Sequence, residues 1–310
     1  MAIVIILSFL ILFLKISCIM CIYSRLKRSV ISEIRTAVAP PLVNLVRSWQ
    51  MDAPTMESFT NNYSTMLGSG GFGTVNKGPF PNGVKSSEQQ FMAEVSTIGR
   101  TYHINLVKLY GFCYDQLMSA FEFMENGSLD KYLFCDTQAI EWEKLYEIAV
   151  GTARGLAYLH EECEQRIIHY DIKPGNVLLD SKFSPKVADF GLAKFCNRDN
   201  SHVSLTRYRG TPGYSAPEFL LKNFPLTYKC DVYSFGMLLF EILGRRRNTK
   251  VGSNDSLDWF PQHVWNEYEK RELASMTLSC GVEEKDREKA ERMAMVSLWC
   301  VQDSPETRPP

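Results

Sequence analysis

The stretch GSGGFGTV, residues 68 to 75, sets glycines at 68, 70, 71 and 73. A backbone without Cβ atoms can approach a ligand closely and turn its N–H groups toward phosphate oxygens. Gly68, Gly70 and Gly73 make a GxGxxG spacing, which suits two folds. A dinucleotide site needs a strand before it, a helix after it and an acid about 20 residues on, where Glu88 stands. Thr74 to Lys77 followed by Pro81-Asn82-Gly83 reads instead as a strand entering a turn. The glycines then belong to a hairpin, with Ser69, Gly71 and Phe72 in its loop and Val75 beyond it, whose backbone N–H groups could cover a triphosphate. A purely structural glycine turn is the alternative.

A helix must follow. Ser87 and Gln90 form a capping box, and Phe91, Val95 and Ile98 recur at helical spacing. Glu94 falls on the same stripe. A buried carboxylate needs a partner, because an unpaired buried charge is costly; otherwise Glu94 lies at the stripe's edge and reaches water.

The richest set of chemical groups comes later. IIHYDIKPGNVLLD holds Asp171, Lys173 and Asn176; ADFGLAK holds Asp189; APE occupies 216 to 218. Each fragment alone says little. In this order and spacing they resemble a eukaryotic protein kinase from about residue 62 to the last residue. HYDIKPGN, RTYHINLVKLYGFC, ENGSLDKYLF and GTPGYSAPEFL are similar to plant receptor-like serine/threonine kinases of the leaf-rust-resistance type.

The resemblance implies an α+β, two-lobed protein kinase fold: a small β-rich lobe over 62–121, then the hinge and a large helical lobe over 122–310. It implies ATP and Mg2+ as cofactors and protein serine or threonine hydroxyls as substrate. Asp171 then takes the hydroxyl proton, Lys173 faces the transferred phosphoryl group, and Asn176 and Asp189 hold Mg2+. Gly68, Ser69, Gly70, Gly71, Phe72, Gly73 and Val75 cover the nucleotide. Phe121 guards the pocket's back, and Glu122 to Met124 form the hinge. Thr211 matches a threonine beside the catalytic aspartate. Asp231 corresponds to the acid that anchors the catalytic-loop backbone, and is equally a helix N-terminal acid. Arg308 pairs with Glu218. Leu145, Ile148, Ala149, Leu156 and Leu159 trace one helical stripe, and the apolar helix in YKCDVYSFGMLLFEILG stops at Gly244.

Four departures qualify the resemblance. Only VKSS separates Gly83 from the helix, where the family places a strand bearing the lysine that pairs with the helix glutamate. That strand is expected to be missing and the small lobe's sheet disrupted, with Lys85 either the phosphate lysine or part of a linker. DQLMSAFEFMENGS is short for a strand and hinge. Tyr170 stands where the family has an arginine that meets a phosphorylated activation segment, so Ser201, Ser204 or Thr206 would not switch the protein through that residue. The resemblance stops at Pro310, short of a final helix, which would leave apolar surface exposed. A pseudokinase, binding without phosphotransfer, is therefore the alternative function.

The 310 residues are 45% hydrophobic and 22% charged with net charge −1, which lacks the basic excess of nucleic-acid binders. The nine cysteines show no paired metal spacing. Residues 2–22 are apolar apart from Lys15 and two serines. Each Ile, Leu, Val or Phe there favours insertion by about 0.3 to 0.6 kcal/mol, against about 2.5 to 3.5 kcal/mol for a central lysine. A transmembrane helix is expected, with a signal peptide as the alternative. Arg25, Lys27 and Arg28 place the rest on the cytosolic side, after a juxtamembrane linker over 23–61. Related receptors carry an ectodomain before the span; a receptor partner supplying one is an expectation here.

Overall fold

The computed structural model describes residues 65–70, 73–77, 82–85, 88–113, 117–134, 140–196, 210–220, 226–251 and 257–310. All belong to the unit Met51–Pro310, one of two into which the chain divides. The expected span at 2–22, the linker, the Ser87 cap and Ser201, Ser204 and Thr206 lie outside the described residues. Among the described residues no helix is long and apolar enough to cross a membrane.

Strands β1 (Thr65–Gly70) and β2 (Gly73–Lys77) form an antiparallel hairpin that closes on the pair Gly70–Gly73. The glycine stretch thus joins two strands, not a strand and a helix. Strand β3 (Asn82–Lys85) follows, then helix α1 (Glu88–Ile98), β4 (Leu109–Cys113) and β5 (Met118–Phe121). The sheet runs β1-β2-β3-β5-β4.

The strand expected to be missing is therefore present, four residues long, and the sheet is continuous. Its neighbours explain how. Val84 pairs with Val75 on one side and Ser119 on the other, so this short strand joins ladders on both edges. The turn signal is overridden: Asn82 and Gly83 sit opposite Phe121 and Ala120. Phe91, Val95 and Ile98 of α1 are buried, as their spacing predicts.

After the two-residue strand β6 (Gly127–Ser128) and the short α2 (Asp130–Leu133), helix α3 (Trp142–Ala157) buries Leu145, Ile148, Ala149 and Leu156. A π turn, Tyr158–Glu162, carries on to the buried Leu159. Strand β7 (Arg166–Ile168) leads into the Asp171 loop, and β8 (Val177–Leu179) and β9 (Pro185–Val187) leave it. They pair as β6-β8-β9, while β7 pairs with β10 (Lys194–Cys196). Val107 N–H donates to the Val187 carbonyl at 3.0 Å, and Val187 N–H to that of Asn105 at 2.8 Å. These bonds join the segment after α1 to the strand just before Asp189.

Helix α4 (Lys229–Gly244) is buried on nearly every side. Then come the paired strands β11 (Thr249–Val251) and β12 (Leu257–Trp259), and helices α5 (Phe260–Lys270), α6 (Leu273–Ser279) and α7 (Arg287–Cys300). Gly244 ends α4 but is not its left-handed residue. That role falls to Arg245, at φ 47°. Gly244 is small for packing, since a Cβ there would stand 2.6 Å from the Phe260 ring.

Helices α4 and α7 pack tightly at Gly236, where an added Cβ would lie 2.6 Å from Cys300 Cβ and 3.1 Å from the Ser297 carbonyl oxygen. Gly236→Ala is expected to lower stability by about 1–3 kcal/mol through overpacking, read from the denaturant midpoint. An unchanged midpoint would mean the helices separate at no cost.

Candidate active site

The loop between β7 and β8 is fixed from below by one carboxylate. Asp231, fully buried in the first turn of α4, accepts from the His169 N–H at 2.7 Å and the Tyr170 N–H at 2.8 Å. His160 Nε2 lies 2.9 Å from the same carboxylate. Both readings of Asp231 hold: it is an acid in the first turn of a helix, and it anchors the loop backbone. The anchored loop carries strain, since Tyr170 has φ 67°, a left-handed value that side chains seldom adopt.

Held this way, Asp171 presents both carboxylate oxygens to donors. Oδ1 accepts from the Thr211 hydroxyl at 2.6 Å. Oδ2 accepts from Lys173 Nζ at 2.6 Å and from Asn176 Nδ2 at 3.0 Å. Lys173 also donates to Thr211 Oγ1 at 2.8 Å. The predicted residues Asp171, Lys173, Asn176 and Thr211 thus converge within hydrogen-bond reach.

Asn176 ends a 3-10 turn, Pro174–Asn176, and also donates to the Asp171 carbonyl at 2.8 Å. With its amide nitrogen spent on Asp171, its amide oxygen is the atom left to meet a cation. Ala188 N–H donates to the Asn176 carbonyl, tying Asp189 to the same place. Asp189, with φ 64°, is raised above the usual carboxylate range by burial, with Asp171 adding and His169 opposing. An amide oxygen and a crowded, desolvated carboxylate form a hard-oxygen set that fits Mg2+.

Spacing alone did not reveal the role of His169. Its Nε2 lies 3.0 Å from the Ala188 carbonyl and its ring meets Phe190 edge-on at 4.9 Å, linking the Asp171 loop to the Asp189 segment. The motif contains the residue, but nothing in its spacing shows a ring turned toward position 188.

The upper half of the site departs from expectation. Glu94 is buried on α1, and its Oε2 makes no hydrogen bond. Burial pushes its carboxyl up to about 8, with the Asp189 charge adding and the Ser119 hydroxyl opposing. The residue opposite Ser119 is Val84, whereas Lys85 stands opposite Met118. Successive strand positions face opposite sides of a sheet, so position 84, not 85, shares the Ser119 face. The glycine-stretch residues Gly68, Ser69 and Gly70 lie on β1, Gly73 and Val75 on β2, and Gly71 and Phe72 lie outside the described residues. At the segment expected to form the hinge, Glu122 accepts from the Lys108 N–H at 2.6 Å and pairs with Lys186 at 3.0 Å, and buried Met124 packs with Val107 and Ala188.

Comparison with known proteins decides what this arrangement belongs to. The protein tyrosine and serine/threonine kinase family matches residues 62–310. The chain belongs to the protein kinase family. It is 42% identical over 273 residues to the PR5-like receptor kinase of Arabidopsis thaliana, covering 82% of this chain and 41% of that one. It is 44% identical over 290 residues to the rust resistance kinase Lr10 of Triticum aestivum, covering 85% and 45%. A G-type lectin S-receptor-like serine/threonine-protein kinase of Arabidopsis thaliana is 44% identical over 275 residues, covering 82% and 31%. The chain thus spans less than half the length of these relatives. Its helices and small sheets fit the two-lobed kinase fold.

Two further features of this kinase domain concern the segment that follows Asp189. Tyr170 is buried in an apolar cluster with Ile168, Cys196, Ala216 and Cys230, and meets Phe219 edge-on at 5.9 Å. Aromatic packing, not a guanidinium, joins this loop to the APE region. Beyond it, Arg308 grips Glu218 with two bonds, Nη1 to Oε1 at 2.7 Å and Nη2 to Oε2 at 2.8 Å. Both side chains are buried, and the pairing is the expected one. Arg308→Ala would strand the Glu218 carboxylate and is expected to cost about 3–5 kcal/mol, measured by chemical unfolding. Arg308→Lys should recover only part, because an ammonium cannot match the two-pronged geometry. Wild-type stability in Arg308→Ala would disprove the anchor.

Proposed function

We propose that the protein is a serine/threonine protein kinase that moves the γ-phosphoryl group of ATP to serine or threonine hydroxyls of protein substrates. We also propose that it works as the cytosolic kinase part of a single-pass, receptor-like assembly, most simply at the plasma membrane. The observation that carries the catalytic reading is the Asp171 carboxylate, which accepts from a lysine, an amide and a threonine hydroxyl at once. The Thr211 hydroxyl on Oδ1 marks where an alcohol can donate to this carboxylate. A substrate hydroxyl at that oxygen would be oriented and would pass its proton to Asp171 as the phosphoryl group departs. Lys173, within bonding distance of both Asp171 and Thr211, holds positive charge beside the transfer path. Asn176 and Asp189 would hold Mg2+, which neutralises charge on the phosphates. The glycine hairpin would close over the nucleotide, with Glu122 and Met124 at its hinge edge.

The membrane part rests on the apolar run at 2–22 and its basic flank, together with relatives named as receptor kinases. A second reading, a pseudokinase that binds without transfer, is favoured by two observations: Val84, not a lysine, holds the register position opposite Ser119, and Glu94 lacks a hydrogen bond at Oε2.

Phosphate transfer by the full chain from labelled ATP to a generic serine/threonine substrate separates the two. The expected result is transfer that falls about 10²–10⁴-fold in Asp171→Asn, the usual worth of a positioned base, with nucleotide binding nearly unchanged. Full activity in Asp171→Asn would refute the base assignment. Nucleotide binding without any transfer by the wild type would establish the pseudokinase.

A further inference from the structure

A chain of contacts leads from Asp171 to the end of α4. The Thr211 hydroxyl meets Asp171 Oδ1 at 2.6 Å, and the Thr211 carbonyl accepts from the Tyr214 N–H at 3.1 Å. Tyr214 is bolted to α4. The Ser234 hydroxyl donates to its carbonyl at 2.8 Å, and its own hydroxyl donates to Glu241 Oε2 at 2.6 Å. Glu241 Oε1 accepts from the Asn248 N–H at 3.1 Å. That bond fixes the preceding residue, Arg247, beside the Thr211–Tyr214 loop.

Three arginines stand in a row here, and each is used differently. Arg245 takes the left-handed φ of 47° that ends the helix. Arg246 pairs with Asp258 at 2.6 Å. Arg247 is exposed, and its guanidinium lies 4.1 Å from the centre of the Phe134 ring, just after α2. Among the described residues no carboxylate forms an ion pair with Arg247. Its charge is felt at Glu241 and at the Tyr214 hydroxyl, but both Glu241 oxygens already have donors. A ring on one face sets the plane of the guanidinium and leaves its N–H edge for another acceptor. A carboxylate matches that edge with two parallel bonds.

We propose that Arg247 selects the substrate: it receives an aspartate or glutamate side chain of the protein substrate, a few residues away from the acceptor serine or threonine. This rests on the kinase reading above and deepens it by naming acidic segments as the substrate class. An extended peptide spans about 3.3–3.6 Å per residue. The path from Asp171 through Tyr214 to Arg247 is therefore covered by a few residues of bound substrate. The bonds of Tyr214 to α4 keep the two ends of that path at a fixed separation, so the preference belongs to one position along the peptide.

The test gives the full chain in detergent, with ATP and Mg2+, a set of single-serine peptides. Each carries one glutamate, one glutamine or one lysine, placed at each position in turn around the serine. The readout is the glutamate-to-glutamine ratio of kcat/KM at each position, in which any general loss of activity cancels. The wild type is expected to show a ratio of about three to five at one position, the worth of an exposed ion pair. Arg247→Gln is expected to bring that ratio to about one. Arg247→Lys, which keeps the charge but not the fork, should retain a reduced preference. Arg247→Glu should make the lysine peptide the better substrate at that same position, a reversal that a merely structural role would not produce. A wild type indifferent to the acid, or a preference that survives in Arg247→Gln and Arg247→Glu, overturns the proposal alone. No transfer to any peptide or to a generic protein substrate overturns the kinase reading with it.

Discussion

One buried carboxylate sets the geometry on which the rest depends. Asp231 sits where α4 begins and takes the backbone N–H groups of His169 and Tyr170 onto its two oxygens. Those bonds hold Tyr170 at a positive φ, a conformation that costs energy outside a supporting frame. The chain then turns so that Asp171 points back at Lys173, Asn176 and Thr211. Helix α4 is enclosed by α3, α5 and α7, so the anchor is as rigid as the core. The positions of the site's side chains are thus inherited from helix packing rather than from the loop itself, which suits a reaction that asks mainly for positioning.

Much of this was legible in the residues. The helical stripe of Phe91, Val95 and Ile98 and the hairpin at the glycines follow from period and turn chemistry, and the Asp231 anchor and the Glu218–Arg308 pair from the resemblance to kinases. The errors share a cause. Four residues between a turn signal and a helix seemed too few for a strand, because length was judged locally. Pairing is a property of neighbours, and β2 and β5 recruit Asn82 and Gly83 out of the turn. Gly244 does end its helix as the residues suggest, but its small size serves the Phe260 ring and the left-handed residue is Arg245. Register, which places Val84 and not Lys85 opposite Ser119, cannot be read from a single strand, since a one-residue slip exchanges its faces.

The two halves of the site also differ in how they are satisfied. Around the Asp171 carboxylate hydrogen bonding is complete before any ligand arrives, both oxygens having donors within the chain. Around Glu94 it is not, since Oε2 is buried without a hydrogen bond. The Tyr170 cluster follows the logic of the lower half: apolar packing against Ala216 and Phe219 holds the APE region with groups already in the chain.

The Glu218–Arg308 pair has a consequence for how the molecule is made. Its partners lie 90 residues apart, and during synthesis at about 5–20 residues per second the arginine emerges several seconds after the glutamate. Until then the APE region lacks its clamp, with a carboxylate bound for the interior still in water. The stretch around Arg308 therefore locks a segment made much earlier, and a nascent chain shorter than residue 308 cannot close it.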